Sequence, residues 1–310
     1  MKTLLITDLD NTLYNWVDYY APSFRGMAKA LSREMGVSLD ILLEDFKEVF
    51  SRRGSLEYSF AVQELDSCKQ YTPEEIKRFV EIAKTVFSMV RQKNLKPYDN
   101  VENTLKWASD SGILIVGVTN APVFHAEMRL KQLRIDGYFS GLAGWEGSGI
   151  PQDDFTEEIQ KKFEAGKYNS KIKKLWPLPK EELKPNPFAY LRITYELGIS
   201  HKATFVIGDS VGKDLDPAMD IGAIAIWAKY GTQFKRENFE TLLRITHWSE
   251  EKIKNTYETK TREPDFVINS FSELRNVVPT PQMMLDFGNE PRSLPLIVHD
   301  FKKAPKVDNH

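Results

Sequence analysis

Asp8 and Asp10 place two carboxylates close together, directly after the short apolar run Leu4, Leu5 and Ile6. Two like charges in a buried cleft repel each other and raise the free energy of the ionised state, unless a cation or a proton neutralises them. A hard cation such as Mg²⁺ prefers carboxylate oxygens and water, and it commonly shares a substrate phosphate. The pair therefore predicts a site at which negative charge must be neutralised.

Further polar side chains stand at the ends of other apolar runs or in loops. They are Thr119, Asn120, Lys184, Asp209 and Asp214. If these segments meet, the aspartates form an oxygen-rich pocket suited to Mg²⁺, and the lysine adds a positive charge. The threonine and asparagine offer hydrogen-bond donors to phosphate oxygens. No cysteine or histidine stands at these positions, which argues against zinc.

The elements that must position these residues alternate along the chain. Continuous apolar runs, typical of strands covered on both faces, occupy residues 2–7, 113–120, 203–210 and 222–228, and helix-like stretches lie between them. This alternation predicts an α/β fold with a parallel sheet. In such sheets ligands bind beyond the carboxyl ends of the strands, where the polar residues stand.

Residues 16–93 interrupt the alternation, because their apolar spacing is helical throughout. Ser38 can cap a second helix in this region. Thr72 can cap a third, with proline at the first helical position and Glu75 completing a capping box. We interpret the region as a helical subdomain inserted after the first strand.

The remaining boundaries follow composition. We assign residues 1–15 and 94–280 to the core. Residues 137–183 are rich in Gly, Pro and Lys and are predicted to be irregular, with an insertion at about 146–183. The last segment, 281–310, holds several prolines without a clear period, and it is predicted to be an extended C-terminal arm.

Composition limits the function classes. A net charge of -2 over 310 residues gives no electrostatic case for binding a nucleic acid polymer or an anionic membrane. Cys68 is the only cysteine, so no intrachain disulfide is possible and a reducing compartment is expected. We find no apolar run long enough to span a membrane and no secretory signal, and we expect a cytoplasmic protein.

Four motifs in order, DLDNT at 8–12, TN at 119–120, KP at 184–185 and GDSVGKD at 208–214, resemble those of the haloacid dehalogenase-like (HAD) superfamily. The combination is specific, whereas TN or KP alone would mean little. The resemblance implies a Rossmann-like catalytic core. It also implies that the helical region is a cap of the C1 type.

The resemblance also implies roles for the acidic residues. Asp8 would be the nucleophile that takes the phosphoryl group. Asp10 would protonate the leaving oxygen and then activate water, while its carbonyl contacts Mg²⁺ and Thr12 orients it. Asp209 would ligate Mg²⁺ directly, and Asp214 would hold a metal-bound water or a lysine.

The same resemblance assigns the remaining motif residues. Thr119 and the backbone at Asn120 would bind phosphoryl oxygens. Lys184 would offset charge between the nucleophile and the phosphate. His125 lies nearby in sequence, but we expect it to face solvent or to cap a helix. Arg52 and Arg53 are interpreted as an exposed helix end.

Asp10 narrows the reaction, because dehalogenase members lack an acid two residues after the nucleophile. Its presence favours hydrolysis of a small phosphate monoester. The sequences DLDNTLY and TNA resemble the pyrimidine 5′-nucleotidase branch, which suggests a nucleoside 5′-monophosphate as the phosphorylated metabolite. Two alternatives remain: a phosphomutase using the same aspartates, and a non-catalytic interaction protein on the same fold.

Overall fold

The fold is built on one parallel sheet. The computed structural model describes residues 2–147, 168–246 and 262–286. Within them, seven parallel strands are ordered β4-β3-β2-β1-β5-β6-β7. Their bounds are β1 Leu4–Thr7, β2 Leu114–Pro122, β3 Gly141–Trp145, β4 Leu175–Leu178, β5 Thr204–Gly208, β6 Ile224–Ala228 and β7 Phe266–Ile268.

Helices flank the sheet and connect its strands. Their bounds are α1 Trp16–Met35, α2 Leu39–Arg53, α3 Pro73–Asn94, α4 Val101–Asp110, α5 Val123–Gln132, α6 Phe188–Leu197, α7 Asp216–Asp220, α8 Arg236–Ile245, α9 Leu274–Val277 and α10 Pro281–Asp286. Among the described residues, none of these helices combines the length and apolarity that crossing a membrane requires.

The central strand β1 is buried on both faces, as the continuous apolar run predicts. Leu4 and Ile6 pack in the cluster that contains α6, while Leu5 points to the opposite cluster that includes the long helices. Successive strand residues face opposite sides of a sheet, so a strand covered on both sides needs an unbroken apolar run. The prediction of a Rossmann-like α/β sheet is confirmed.

The described residues between β1 and α4 form helices and no strand. Ser38 caps α2 by accepting a hydrogen bond from the amide of Ile41, as predicted. Thr72 and Glu75 form the predicted capping box at the start of α3. Helices α1 and α3 pack against each other, and α8 packs on α1 and α2. The assignment of this region as a cap remains a prediction.

The predicted irregular region at 137–183 is wrong in part, because β3 and β4 lie within it and form one edge of the sheet. Neither strand shows the continuous apolar run expected of a buried strand, because β3 contains two glycines and β4 contains Pro177. A proline is tolerated on an edge strand, where one side needs no ladder hydrogen bond. Residues 148–167 of the predicted insertion, and residues 287–310 of the predicted arm, lie outside the described residues.

The pairing of β3 with β4 depends on Gly141. A Cβ there would lie 2.1 Å from the ring of Trp176, which is buried on β4. We therefore predict that Gly141→Ala lowers the free energy of unfolding by about 1–3 kcal/mol, the usual cost of overpacking. Urea denaturation measures this. Gly212→Ala, where a Cβ would meet nothing within 4 Å, is the control and should change stability little. Equal effects would contradict the packing described.

Candidate active site

Asp8 stands directly after β1, at the carboxyl edge of the sheet. Its amide donates to the carbonyl of Ile207 at 2.8 Å, which continues the pairing with β5. The side chain is only 7% exposed. The following turn is tight: Asn11 has a φ of 60°, and a Cβ on Gly231 would lie 1.9 Å from the Asn11 carbonyl oxygen. The backbone thus holds the Asp8 carboxylate at a fixed, buried position.

Lys184 bridges two buried carboxylates. Its Nζ atom lies 2.6 Å from Asp8 Oδ1 and 2.6 Å from Asp214 Oδ1. The loop after β4 carries this lysine, and Asn120 fixes the loop. The side-chain Nδ2 of Asn120 donates to the backbone carbonyl of Lys184 at 2.7 Å, and the side-chain Oδ1 accepts from the backbone amide of Lys184 at 2.9 Å. The side chain of Asn120 therefore positions the lysine, a contact that the sequence did not predict.

Asp209 and Asp214 complete an acidic cluster with Asp8. Carboxylate oxygens of the three residues all lie within 4.8 Å of one another, and all three side chains are buried. Asp209 follows β5. Asp214 lies in the next turn, where its Oδ2 accepts from the Ser210 amide at 3.1 Å. A Cβ on Gly208 would lie 2.4 Å from the Asp214 carboxyl group, so glycine leaves room for the cluster.

The cluster perturbs the titration of its members. Burial raises the pKa of Asp8 to about 7, Lys184 opposes this rise, and the neighbouring carboxylates reinforce it. Burial, with Asp8 and Asp214 as like charges, also raises the pKa of Asp209 well above its ordinary value. Burial alone would lower the pKa of Lys184, but Asp214 and Asp8 raise it well above its usual range. The lysine therefore stays charged while Asp8 and Asp209 resist ionisation.

The predicted residue Thr119 lies in β2, two residues beyond Gly117, which pairs with Thr7 of β1. It is buried, and its Oγ1 accepts from the Ala121 amide at 3.1 Å. Thr12 differs from the expectation: its hydroxyl donates to Asp8 Oδ2 at 3.1 Å, not to Asp10. The turn after β1 folds back within four residues, which brings Thr12 under the first aspartate.

Asp10 is not a member of the three-carboxylate cluster, and its carboxylate forms an ion pair instead. Its Oδ1 accepts from Arg129 Nη1 at 2.6 Å, and Arg129 Nη2 lies 2.6 Å from Glu57 Oε2. Arg129 is 1% exposed. Burial raises the pKa of Asp10, with Arg129 opposing the rise. Glu57 also accepts from Trp16 Nε1 at 2.7 Å.

Sequence reasoning missed Arg129 and Glu57. Glu57 lies between α2 and α3, whereas Arg129 lies on α5 after β2. The side chain of His125 does not face solvent as expected: it is 19% exposed, and its Nδ1 lies 3.5 Å from Glu57 Oε2. The sequence offered one signal for Arg129: it is a charged residue on the same helix face as the apolar residues Ala126 and Leu130, which suggests that it is buried with a partner. Arg52 and Arg53 both pair with Glu64; Arg52 is exposed, as expected, whereas Arg53 is half-buried.

The three-carboxylate cluster has the chemistry of a Mg²⁺ site. Its donors are oxygens only, which a hard cation prefers, and their mutual repulsion is what a divalent ion would relieve. Asp8, Asp209 and Asp214 would hold such an ion. The carboxylate of Asp10 lies outside the cluster, because Arg129 binds it.

Comparison with known families agrees with this geometry. The family model described as haloacid dehalogenase-like hydrolase matches residues 2–222, which is more than half of the chain. The chain belongs to the haloacid dehalogenase-like hydrolase family. A second model of the same group, described as HAD-hydrolase-like, matches residues 183–274 of this hydrolase. The resemblance read from the four motifs is thus confirmed.

Solved structures share the fold of this hydrolase. It is similar to a 2-haloacid dehalogenase from Pseudomonas syringae pv. tomato DC3000, with a TM-score of 0.54 and 18% identity over 90% of this chain and 98% of the other. It is also similar to a HAD phosphatase from Thermococcus onnurineus, with a TM-score of 0.52 and 18% identity over 90% and 99%. At this identity the likeness shows the fold alone.

The raised pKa of Asp8 predicts how stability depends on pH when divalent cations are removed with a chelator. The folded state keeps a proton on Asp8 up to about pH 7, whereas the unfolded chain releases it near the ordinary pKa of 3.8. Stability therefore falls as pH rises across this window. Asp8→Asn should remove part of this fall, on the order of a few kcal/mol.

Urea denaturation at several pH values measures the effect. The control is Asp66→Asn, which alters an exposed carboxylate in a surface ion pair with Lys69. In this control, the free energy of unfolding should change with pH as steeply as it does in the unaltered protein. The same slope in Asp8→Asn as in the control would contradict the account.

The buried position of Arg129 predicts a large effect of its removal. Arg129→Leu leaves the carboxylates of Asp10 and Glu57 without their cation, and breaking a buried pair costs about 3–5 kcal/mol. The control is Arg192→Leu, since Arg192 forms an exposed pair with Glu196 worth at most about 1 kcal/mol. Chemical denaturation compares the two, and losses of similar size would show that the Arg129 pairs are not formed.

Proposed function

We propose that this hydrolase is a Mg²⁺-dependent phosphatase that hydrolyses a small phosphate monoester through a phosphorylated Asp8. The observation that carries the proposal is the contact of Lys184 with both Asp8 and Asp214, beside an Asp209 oxygen within 4.8 Å of theirs. An anion brought to Asp8 needs positive charge close by. Lys184 and a cation held by the carboxylates provide it.

In the first step, an Asp8 carboxylate oxygen attacks phosphorus and the bond to the leaving oxygen breaks. Asp10 gives its proton to that oxygen, so that an alcohol leaves. Burial favours the protonated form that this step needs. When bound, Mg²⁺ would supply charge stabilisation to the phosphoryl oxygens. Lys184 adds to this stabilisation, and Thr119 and the backbone at Asn120 would bind phosphoryl oxygens.

In the second step, a water molecule attacks the phosphorylated Asp8 at phosphorus. Asp10, now a carboxylate, takes the proton of that water, and inorganic phosphate leaves with Asp8 restored. Arg129 favours the ionised form of Asp10, since it contacts its Oδ1 at 2.6 Å. The same side chain can serve both steps because burial and Arg129 act on its pKa in opposite directions.

The presence of Asp10 supports a phosphate ester as the substrate over a compound with a carbon–halogen bond. Asp10 is present, and an acid at that position serves a leaving group that must be protonated. The helical residues 16–93, which we assign as a C1-type cap, would close over the site, exclude water and select the substrate. A small phosphorylated metabolite fits this arrangement, and a nucleoside 5′-monophosphate is one candidate.

The test is phosphate release from a panel of monoesters that includes 4-nitrophenyl phosphate, nucleoside 5′-monophosphates and hexose phosphates. We expect turnover with Mg²⁺, loss of turnover with a chelator, and a loss of about 10³-fold or more in Asp8→Asn. Asp66→Asn, on the surface, is the matched control and should keep its activity. Equal rates in Asp8→Asn and the control would refute catalysis at this site, and isomerised hexose phosphate instead of free phosphate would indicate a phosphomutase.

A further inference from the structure

A cavity of about 460 Å³ lies among the helices of the proposed cap, next to α5 of the core. Most of its lining is aromatic or aliphatic, and includes Tyr20, Phe46, Phe50, Val62, Ala83 and Phe87. Protein interiors are close-packed and hold few voids larger than a water molecule. A cavity of this volume is in the range of small-molecule sites, about 300–1,000 Å³. It is therefore large enough to hold most of a small ligand.

The cavity changes in character along α3. Val80 and Ala83 line it in the first half of the helix, and Arg91 lines it near the helix end. That end leads to Pro97, which pairs with Tyr14 in the loop that follows Asp10. Apart from Lys84, which is exposed and pairs with Glu81, the charged residues of the lining lie toward the acidic cluster and the apolar residues lie away from it.

The charged end of the cavity reaches the proposed acid of the reaction. Glu57, His125 and Arg129 line this end, and Arg129 Nη1 lies 2.6 Å from Asp10 Oδ1. Asp10 is the residue that would protonate the leaving oxygen. A leaving group that extends from phosphorus past Asp10 therefore points toward the cavity.

Most polar groups in the wall already have protein partners. The hydroxyl of Tyr20 donates to the Leu56 carbonyl, that of Tyr58 donates to Glu64, and the His125 ring contacts the Ser59 hydroxyl at 3.2 Å. Burying a polar group without a hydrogen bond is costly, so the apolar end suits a ligand that needs few partners. A nucleobase, with donors and acceptors along its edge, fits this wall less well than a hydrocarbon ring does.

Arg91 differs from these wall residues. Its Nε atom is buried and has no hydrogen-bond partner among the described residues. It adds a positive charge at the end of the cavity nearest Asp10, where Arg129 is already paired with Asp10 and Glu57. This end suits the anionic side of a ligand, while the far end suits an apolar one.

We propose that the cavity binds the leaving group of the substrate and that this group is an apolar, ring-containing alcohol. The inference rests on the proposed phosphatase activity and adds the class of ester that the enzyme prefers. Aromatic side chains in the wall would contact the ring in offset or edge-to-face arrangements. The substrate is then an amphipathic monoester, with its phosphate at Asp8 and its hydrocarbon body among the cap helices.

The test compares 2-phenylethyl phosphate with ethyl phosphate. Both are primary alkyl esters, so the leaving oxygens are chemically alike and the phenyl ring is the difference. Burial of that ring should raise kcat/KM by about 100-fold. Uridine 5′-monophosphate is included as a polar monoester and should also fall below 2-phenylethyl phosphate. A ratio near one, or a preference for the nucleotide, would overturn the inference.

A cavity-filling variant tests the location. Ala83 is buried in the wall, whereas Thr85 is exposed on the same helix. Ala83→Phe should lower the ratio of kcat/KM for the phenylethyl and ethyl esters at least tenfold, because its ring occupies the space. Thr85→Phe should keep the ratio, and thermal unfolding of both variants verifies that they fold. An unchanged ratio in a folded Ala83→Phe protein would place the leaving group elsewhere.

Binding of 3-phenylpropylphosphonate, the non-hydrolysable analogue of 2-phenylethyl phosphate in which a methylene replaces the ester oxygen, separates this inference from the proposed function. Titration calorimetry should show binding to the unaltered protein and to Thr85→Phe, and at least tenfold weaker binding to Ala83→Phe. If 4-nitrophenyl phosphate is hydrolysed but the phosphonate does not bind, the inference fails alone. If the phosphonate binds as expected but no monoester is hydrolysed, the proposed function fails while the cavity remains a binding site.

Discussion

The arrangement of the site depends on one electrostatic constraint. Three carboxylates are buried with oxygens within 4.8 Å of one another, and one lysine contacts two of them. Burial and repulsion from the neighbouring carboxylates raise the pKa values of Asp8 and Asp209 and so disfavour the ionised forms of these two residues. Such a cluster lowers the stability of the folded state unless additional positive charge neutralises it. A site that gains from a bound cation is the outcome expected from this imbalance.

Other parts of the fold serve the same cluster. Gly208 and Gly231 allow backbone segments to approach where a side chain would clash with Asp214 or Asn11. Asn120 clamps the peptide of Lys184 through two hydrogen bonds. A second buried group, Arg129 with Asp10 and Glu57, connects the core to the helical region. Closure of these helices and the position of Asp10 are therefore physically coupled in the proposed mechanism.

Much of the sheet could be predicted because its central strands are apolar on both faces and end in polar residues. The sequence also indicates Asp8, Lys184 and Asp209, since each ends a strand or lies in a loop at the same edge. Strand β3 and the edge strand β4 escaped prediction because glycine and proline interrupt their patterns. The pairing of Arg129 with Glu57 joins residues 72 positions apart, and only tertiary packing brings them together. The periodicity of apolar residues along the sequence cannot predict a contact between residues so far apart.

In the proposed mechanism, Asp8 becomes phosphorylated during turnover. The direct measurement is mass spectrometry of acid-quenched Asp10→Asn protein during reaction with 4-nitrophenyl phosphate and Mg²⁺. Its leaving group needs no proton, so the first step should proceed, while loss of the base slows attack by water and the intermediate accumulates. We expect one added phosphoryl group on the peptide that contains Asp8. Release of nitrophenol with that peptide unmodified, or with the phosphoryl group on another residue, would contradict it.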